Sequence, residues 1–243
     1  MPDPALPPLF FAAAVLYSMV GHGGASAYLA AMALLGVAPA VMKPAALLLN
    51  VLVASIAAVR FWRAGWFTWH LFWPFAAASI PAAFLGGQIA LPDHLYRQVL
   101  GVMLIYAALQ LLRRWTAAPA EAVRPPSLPA AAASGAAIGL LSGLVGIGGG
   151  ILLSPLMLLL RWADAQRTCA VAAPFIVLNS LAGLAGHVAA VRDVPAEIFA
   201  WAAAAGAGGM IGSYLGSRRL TGVALRRVLA AVVALAAVKL LLT

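Results

Sequence analysis

The chain has 243 residues, 65% of them hydrophobic and only 9% charged, with a formal net charge of +9. A soluble domain carries about 25% charged residues, so these side chains cannot cover a water-exposed globule, whereas lipid needs no such cover. The basic excess does not mark a nucleic-acid partner, because the lysines and arginines sit at the ends of apolar stretches, where they orient membrane helices.

The first nine residues carry Asp3 as their only charge and lack the basic start of a signal peptide. An apolar stretch over 8–20 ends in Gly21-His22-Gly23-Gly24, and a second follows over 25–35. Both are too short to span comfortably a hydrocarbon core of about 30 Å. Stretches over 44–62, 68–91 and 95–112 are long enough. Trp62, Trp66, Trp69 and Trp73 gather at one junction as an aromatic interfacial belt, and Pro74 and Pro81 are expected to kink their helix. The run 113–129 is rich in proline and charge and separates two halves. The plan then recurs, with a short stretch over 130–145, Gly146-Ile147-Gly148-Gly149-Gly150, a short stretch over 151–160, and long ones over 169–191, 199–216 and 223–242.

The repeat has a measurable displacement. The glycine motifs lie 125 residues apart (146 − 21), whereas Asn50 with Asn179, Gly87 with Gly216 and Arg97 with Arg226 each lie 129 apart. About four extra residues are therefore expected in the second half, near Arg161 to Arg167. Two short arms around glycines make either a helical hairpin that enters and returns or one broken helix, and such backbone is allowed at depth only where protein or a wet cavity surrounds it. Charge decides between these. With returning hairpins each half crosses three times and the halves are inverted. One side then holds Arg60, Arg63, Arg113, Arg114, Arg124, Arg161, Arg167, Arg218, Arg219, Arg226 and Arg227, and the other holds Lys43, Arg97, Arg192 and Lys239, a split of 11 to 4. The parallel arrangement splits 8 to 7. Basic residues accumulate in cytoplasmic loops, so the inverted arrangement is preferred, with both termini outside and the linker inside. The expected fold is an all-α, multi-pass membrane protein with a first repeat over 1–116, a cytoplasmic linker over 117–129 and a second repeat over 130–243. Each repeat has a glycine-tipped hairpin and three transmembrane helices, a plan common among secondary transporters.

The candidate site follows from the tips. Glycines let several N–H groups face one concavity, and a helix starting just beyond adds the positive end of its dipole. Gly21, His22, Gly23, Gly24, Ala25 and Ser26 form one tip. Gly146, Ile147, Gly148, Gly149 and Gly150 form the other, with Ser154 one turn on. Together they suit a small oxyanion near the midplane; the competing reading is that the glycines only let helices pack closely. His22 can donate to an anion, titrate with transport, or be a buried structural histidine. Ser26 and Ser154 can donate hydroxyls or bond back to their own helices. Asn50 and Asn179 are amides within apolar helices, suited to substrate, to the broken backbone, or to helix–helix contact. Cys169 is expected to be a small packing residue, His70 and His94 interfacial, and the arginine pairs 218–219 and 226–227 topology signals. His187 lies near Arg192 on the stretch 169–191. All six acidic residues fall at ends or linkers, so any proton coupling would fall to His22, His187 or the anion itself.

The paired motifs, the second continuing as Gly-Ile-Gly-Gly-Gly-Ile-Leu-Leu-Ser-Pro to Pro155, resemble the sulfite exporter TauE/SafE family over nearly the whole chain. The first motif departs from the pattern at His22 and Ala25 and has no proline matching Pro155. The resemblance implies a secondary transporter exporting sulfite or a small organosulfur anion across a bacterial inner membrane, with the anion and the lipid bilayer as partners and no oligomeric state specified. An anion channel or a non-transporting membrane subunit is the alternative. The chain has no His-Glu-x-x-His, no paired membrane aspartates, and neither a Rossmann nor a P-loop motif. No enzyme activity, metal or cofactor is therefore expected.

Overall fold

The computed structural model describes residues 3–112, 123–187, 195–217, 234, 237–239 and 241–242. Among these, every regular element is an α-helix, as lipid demands when each backbone polar group must be paired within its own segment. In order they are α1 (Leu6–Met19), α2 (Ala25–Leu34), α3 (Pro39–Arg63), α4 (Trp69–Gln88), α5 (Asp93–Leu112), α6 (Leu128–Val145), α7 (Gly150–Leu159), α8 (Ala165–Gly186) and α9 (Ile198–Ser217). Most of the last expected span, residues 117–122 of the linker, and Arg113, Arg114, Arg192, Arg218, Arg219, Arg226 and Arg227 lie outside the described residues.

Four helices, α3, α6, α8 and α9, are long and apolar enough to cross a membrane. At 20 residues each, α4 and α5 rise about 30 Å. The arms α1, α2 and α7 are shorter, with 14, 10 and 10 residues. Against expectation α6 has 18 residues and starts at Leu128. Pro129 falls in its first turn, where the missing N–H costs nothing, so the helix begins inside the proline-rich run. The start of α8 is capped by Asp164, whose carboxylate accepts from Arg167 N at 2.8 Å.

The short arms of the first half are folded at the glycines and do not run in line. Phe10 lies nine residues before the end of α1 (19 − 10), about 14 Å along it, yet its ring centroid is 5.0 Å from that of Tyr28, three residues into α2. Each first arm then packs on the other half: α1 on α9, and α6 on α4. At the centre α3 packs on α8, flanked by α4 on α8 and α3 on α9. These pairings exchange when α1, α2, α3 and α4 are matched with α6, α7, α8 and α9. Small residues allow the close approach. Along α6, Gly135, Gly139 and Gly143 lie against the backbone of Phe75, Ser79 and Ala83, and along α9, Gly208, Gly212 and Gly216 lie against that of Phe11, Val15 and Met19.

The repeat register differs from expectation. Four residues, 35–38, join α2 to α3, and five, 160–164, join α7 to α8, so one extra residue sits near Arg161–Arg167 and not four. Lys43 lies against Gly146 as Cys169 lies against Gly21, and Asn50 lies against Gly23 as Ile176 lies against Gly148 and Gly150. Both pairs are 126 apart (169 − 43, 176 − 50). The structural counterpart of Asn50 is therefore Ile176, not Asn179.

Candidate functional site

Both tips are turns that only glycine takes comfortably. Gly21 and Gly24 have φ of +72° and +103°, and Gly146, Gly148 and Gly149 have +87°, +78° and +79°, left-handed values that a Cβ disfavours. Gly24 and Gly149 are the N-caps of α2 and α7, and neither helix start has a side-chain cap from that position.

Asn50 supplies what Gly24 cannot. From the middle of α3, its Oδ1 accepts from Ala25 N at 3.0 Å, and its Nδ2 donates to Ile147 O at 3.1 Å. One amide thus caps the start of α2 and ties the first tip to the second. The start of α7 faces the apolar side chain of Ile176 instead. Asn179 is placed elsewhere: its Nδ2 donates to Phe175 O at 2.8 Å and Ser79 Oγ at 3.0 Å, joining α8 to α4.

The two tips share one cavity. His22, Gly23, Gly24, Ala25, Ser26, Asn50 and Tyr17 line it from the first half, and Ile147, Gly150, Ile151 and Ile176 from the second. Its volume is 10 Å³, room for about one water and too little for a four-atom oxyanion. Gly21, Gly146, Gly148, Gly149 and Ser154 shape its surroundings without lining it. A Cβ on Gly149 would point away, 3.0 Å from Ile138 and from Phe175, whereas one on Gly23 would overlap the Asn50 amide and one on Gly150 would overlap the end of the Ile176 side chain and lie 3.3 Å from His22 Cδ2. Ser26 Oγ is 2.6 Å from the Tyr17 hydroxyl, and Tyr28 donates to Gly23 O at 2.7 Å, so hydroxyls brace the first tip. Around the second, the hydroxyls of Ser142, Ser154 and Ser180 are buried with no hydrogen-bond partner among the described residues.

His22 is buried. Its backbone N donates to Tyr17 O at 2.8 Å. Its Nδ1 lies 2.8 Å from Val20 O, and since a carbonyl can only accept, Nδ1 carries the hydrogen. The Nε2 edge turns toward the start of α7.

Tyr17, Lys43 and Ile176 also belong to this region and were not singled out from sequence. Tyr17 and Ile176 carry no signal distinguishing them from core. Lys43 did carry one, a cation within an apolar run, but was counted only toward topology. It is buried against Gly146. The backbone of Cys169 sits against Gly21, and Cys169 packs against the Ala57, Phe61, Ala170 and Ala173 cluster. His187 Nδ1 lies 3.1 Å from Gly87 O, away from the cavity lining. Trp62 and Trp69 are 70% and 61% exposed, the outward placement of an interfacial belt. Among the described residues no three His, Cys, Asp or Glu side chains converge as metal ligands would.

The profile described as Sulfite exporter TauE/SafE matches residues 6–240. The chain is 40% identical over 235 residues to the Probable membrane transporter protein y4hK of Sinorhizobium fredii (strain NBRC 101917 / NGR234), a match covering 96% of this chain and 95% of that one. No solved structure gives a significant match. The matched family is one of transporters, not enzymes. A profile match and a relative that both span almost the whole chain, on an all-helical membrane fold, show that this multi-pass membrane protein belongs to the sulfite exporter TauE/SafE family.

Proposed function

We propose that the chain is a secondary transporter of the bacterial inner membrane that exports a small sulfur-containing oxyanion, sulfite or an organosulfonate. In this reading the anion is held near the midplane between the two glycine tips, and the halves over 1–116 and 130–243 are inverted repeats joined by a cytoplasmic linker. The observation that carries it is the tie made by Asn50, which brings Ala25 N–H and the Ile147 carbonyl to a single side chain. Two helix starts with glycine N-caps present positive dipole ends to one cavity. The 10 Å³ cavity must widen to admit the anion. An oxyanion reaching Ala25 N–H displaces Asn50 Oδ1, because a charge-assisted bond is roughly twice as strong as a neutral one. As Asn50 swings away, its Nδ2 also releases Ile147 O. Binding thereby loosens the tie between the halves, which alternating access requires.

The test uses Gly23→Ala and Gly150→Ala, whose new methyls enter the site at positions with ordinary backbone angles. Wild type held at 100 times its Kd for sulfite should gain about 2.7 kcal/mol of stability. Each single variant is expected to lose at least tenfold in affinity, and the pair to lose no more than either alone, since residues acting as one unit are non-additive. Single variants that fold and bind sulfite like wild type would refute the shared site.

A further inference from the structure

We propose that Lys43 forms a second anion-binding station, beside the glycine tips and toward the end of the molecule where α3 begins and α4 and α8 end. It would take the same small oxyanion, and so it rests on the anion reading above. Lys43 is the fifth residue of α3 (43 − 39 + 1) and only 5% exposed. A buried cation in a membrane protein is costly unless it is paired, and it marks a pathway more often than a packing site. Among the described residues no carboxylate pairs with it. Its ammonium reaches one acceptor, Gly87 O, at 3.4 Å, the far limit of a hydrogen bond.

The plain alternative is that Lys43 only caps the last turn of α4. The other lysine of the chain shows what such a cap looks like. Lys239 donates to Ala33 O at 3.0 Å and to Leu34 O at 2.9 Å, the last carbonyls of α2, with its side chain exposed. Lys43 is the opposite: enclosed, with three N–H donors and one long bond between them. Its stem lies on the second tip, since a Cβ on Gly146 would be 2.9 Å from Lys43 Cγ, and the ammonium is three bonds further on. His187 Nδ1 approaches the same Gly87 carbonyl at 3.1 Å, which sets an imidazole next to the ammonium. An oxyanion passing between the tips and this end would find unspent charge-assisted donors there.

The test reconstitutes wild type, Lys43→Gln and Lys43→Arg in liposomes and measures sulfite flux. Lys43→Gln is expected to lower flux at low sulfite at least tenfold. Lys43→Arg should retain at least a third of the flux. Wild-type flux in folded Lys43→Gln overturns the proposal. Should that variant not fold, amine labelling of wild type decides. Methanesulfonate, which does not consume the reagent, should slow labelling of Lys43 at least fivefold and leave Lys239 unchanged; unchanged labelling of Lys43 overturns the proposal. The same protection should persist in Gly23→Ala, where the tips are blocked. If instead Gly23→Ala and Gly150→Ala bind sulfite normally while Lys43 is protected, the shared tip site fails and the station stands.

Discussion

At the scale of single residues, the tautomer of His22 has a direct consequence. With Nδ1–H committed to Val20 O at 2.8 Å, the neutral ring shows a lone pair at Nε2, and only the imidazolium shows an N–H there. In the proposed site an anion would therefore arrive with a proton, carried on the ring or on the anion. His22→Ala is expected to weaken sulfite binding at least tenfold in a thermal-shift titration, and His22→Gln, which keeps a donor, to weaken it less. Equal binding by wild type and both variants would assign His22 to packing. Asn50 and His22 were legible in the sequence because a buried amide and a histidine between glycines are conspicuous. Asn179 was misplaced for a physical reason: matching like residues assumes a constant register, and the five-residue connection 160–164 puts Ile176 opposite the second tip. Lys43 was overlooked because charge counting asks only on which side a cation lies, not whether it has a partner.

At the scale of elements, the glycines divide into two kinds that the sequence could not separate. Those at the tips set turns; those along α6 and α9 set helix spacing. Gly139 and Gly212 have no room for a side chain, since a Cβ on either would overlap the backbone of Ser79 or Val15. Gly139→Leu and Gly212→Leu are each expected to cost about 1–3 kcal/mol or more through overpacking, read as a lower unfolding temperature, with sulfite affinity unchanged in the folded fraction. Changed affinity without lost stability would contradict the division. The arms α2 and α7 were legible almost to the residue, because apolar runs broken by glycine clusters admit few helix ends. The starts of α1 and α6 each lie two residues earlier than expected, because proline stops a helix in its interior but is welcome in its first turn.

At the scale of the whole molecule, the exchange of helix pairings between halves fits a two-fold relation, and the split of basic residues supports an inverted one. A reporter fused within 117–126 is expected to be cytoplasmic and one fused after Thr243 periplasmic; finding both on one side removes the inversion. The pairing of α1 with α9 also imposes an order of assembly. The chain emerges from the ribosome at about 5–20 residues per second, and α9 starts 179 residues after α1 ends (198 − 19). For roughly 10–35 s at that rate, the first hairpin is in the membrane with its main packing partner not yet made. The face of α1 that carries the Phe11, Val15 and Met19 backbone, against which Gly208, Gly212 and Gly216 of α9 later sit, then lacks its partner. During that interval the insertion machinery, or a neighbouring chain, must shelter the half-built site, so biogenesis of this protein should be more sensitive to slowed synthesis of its second half than of its first.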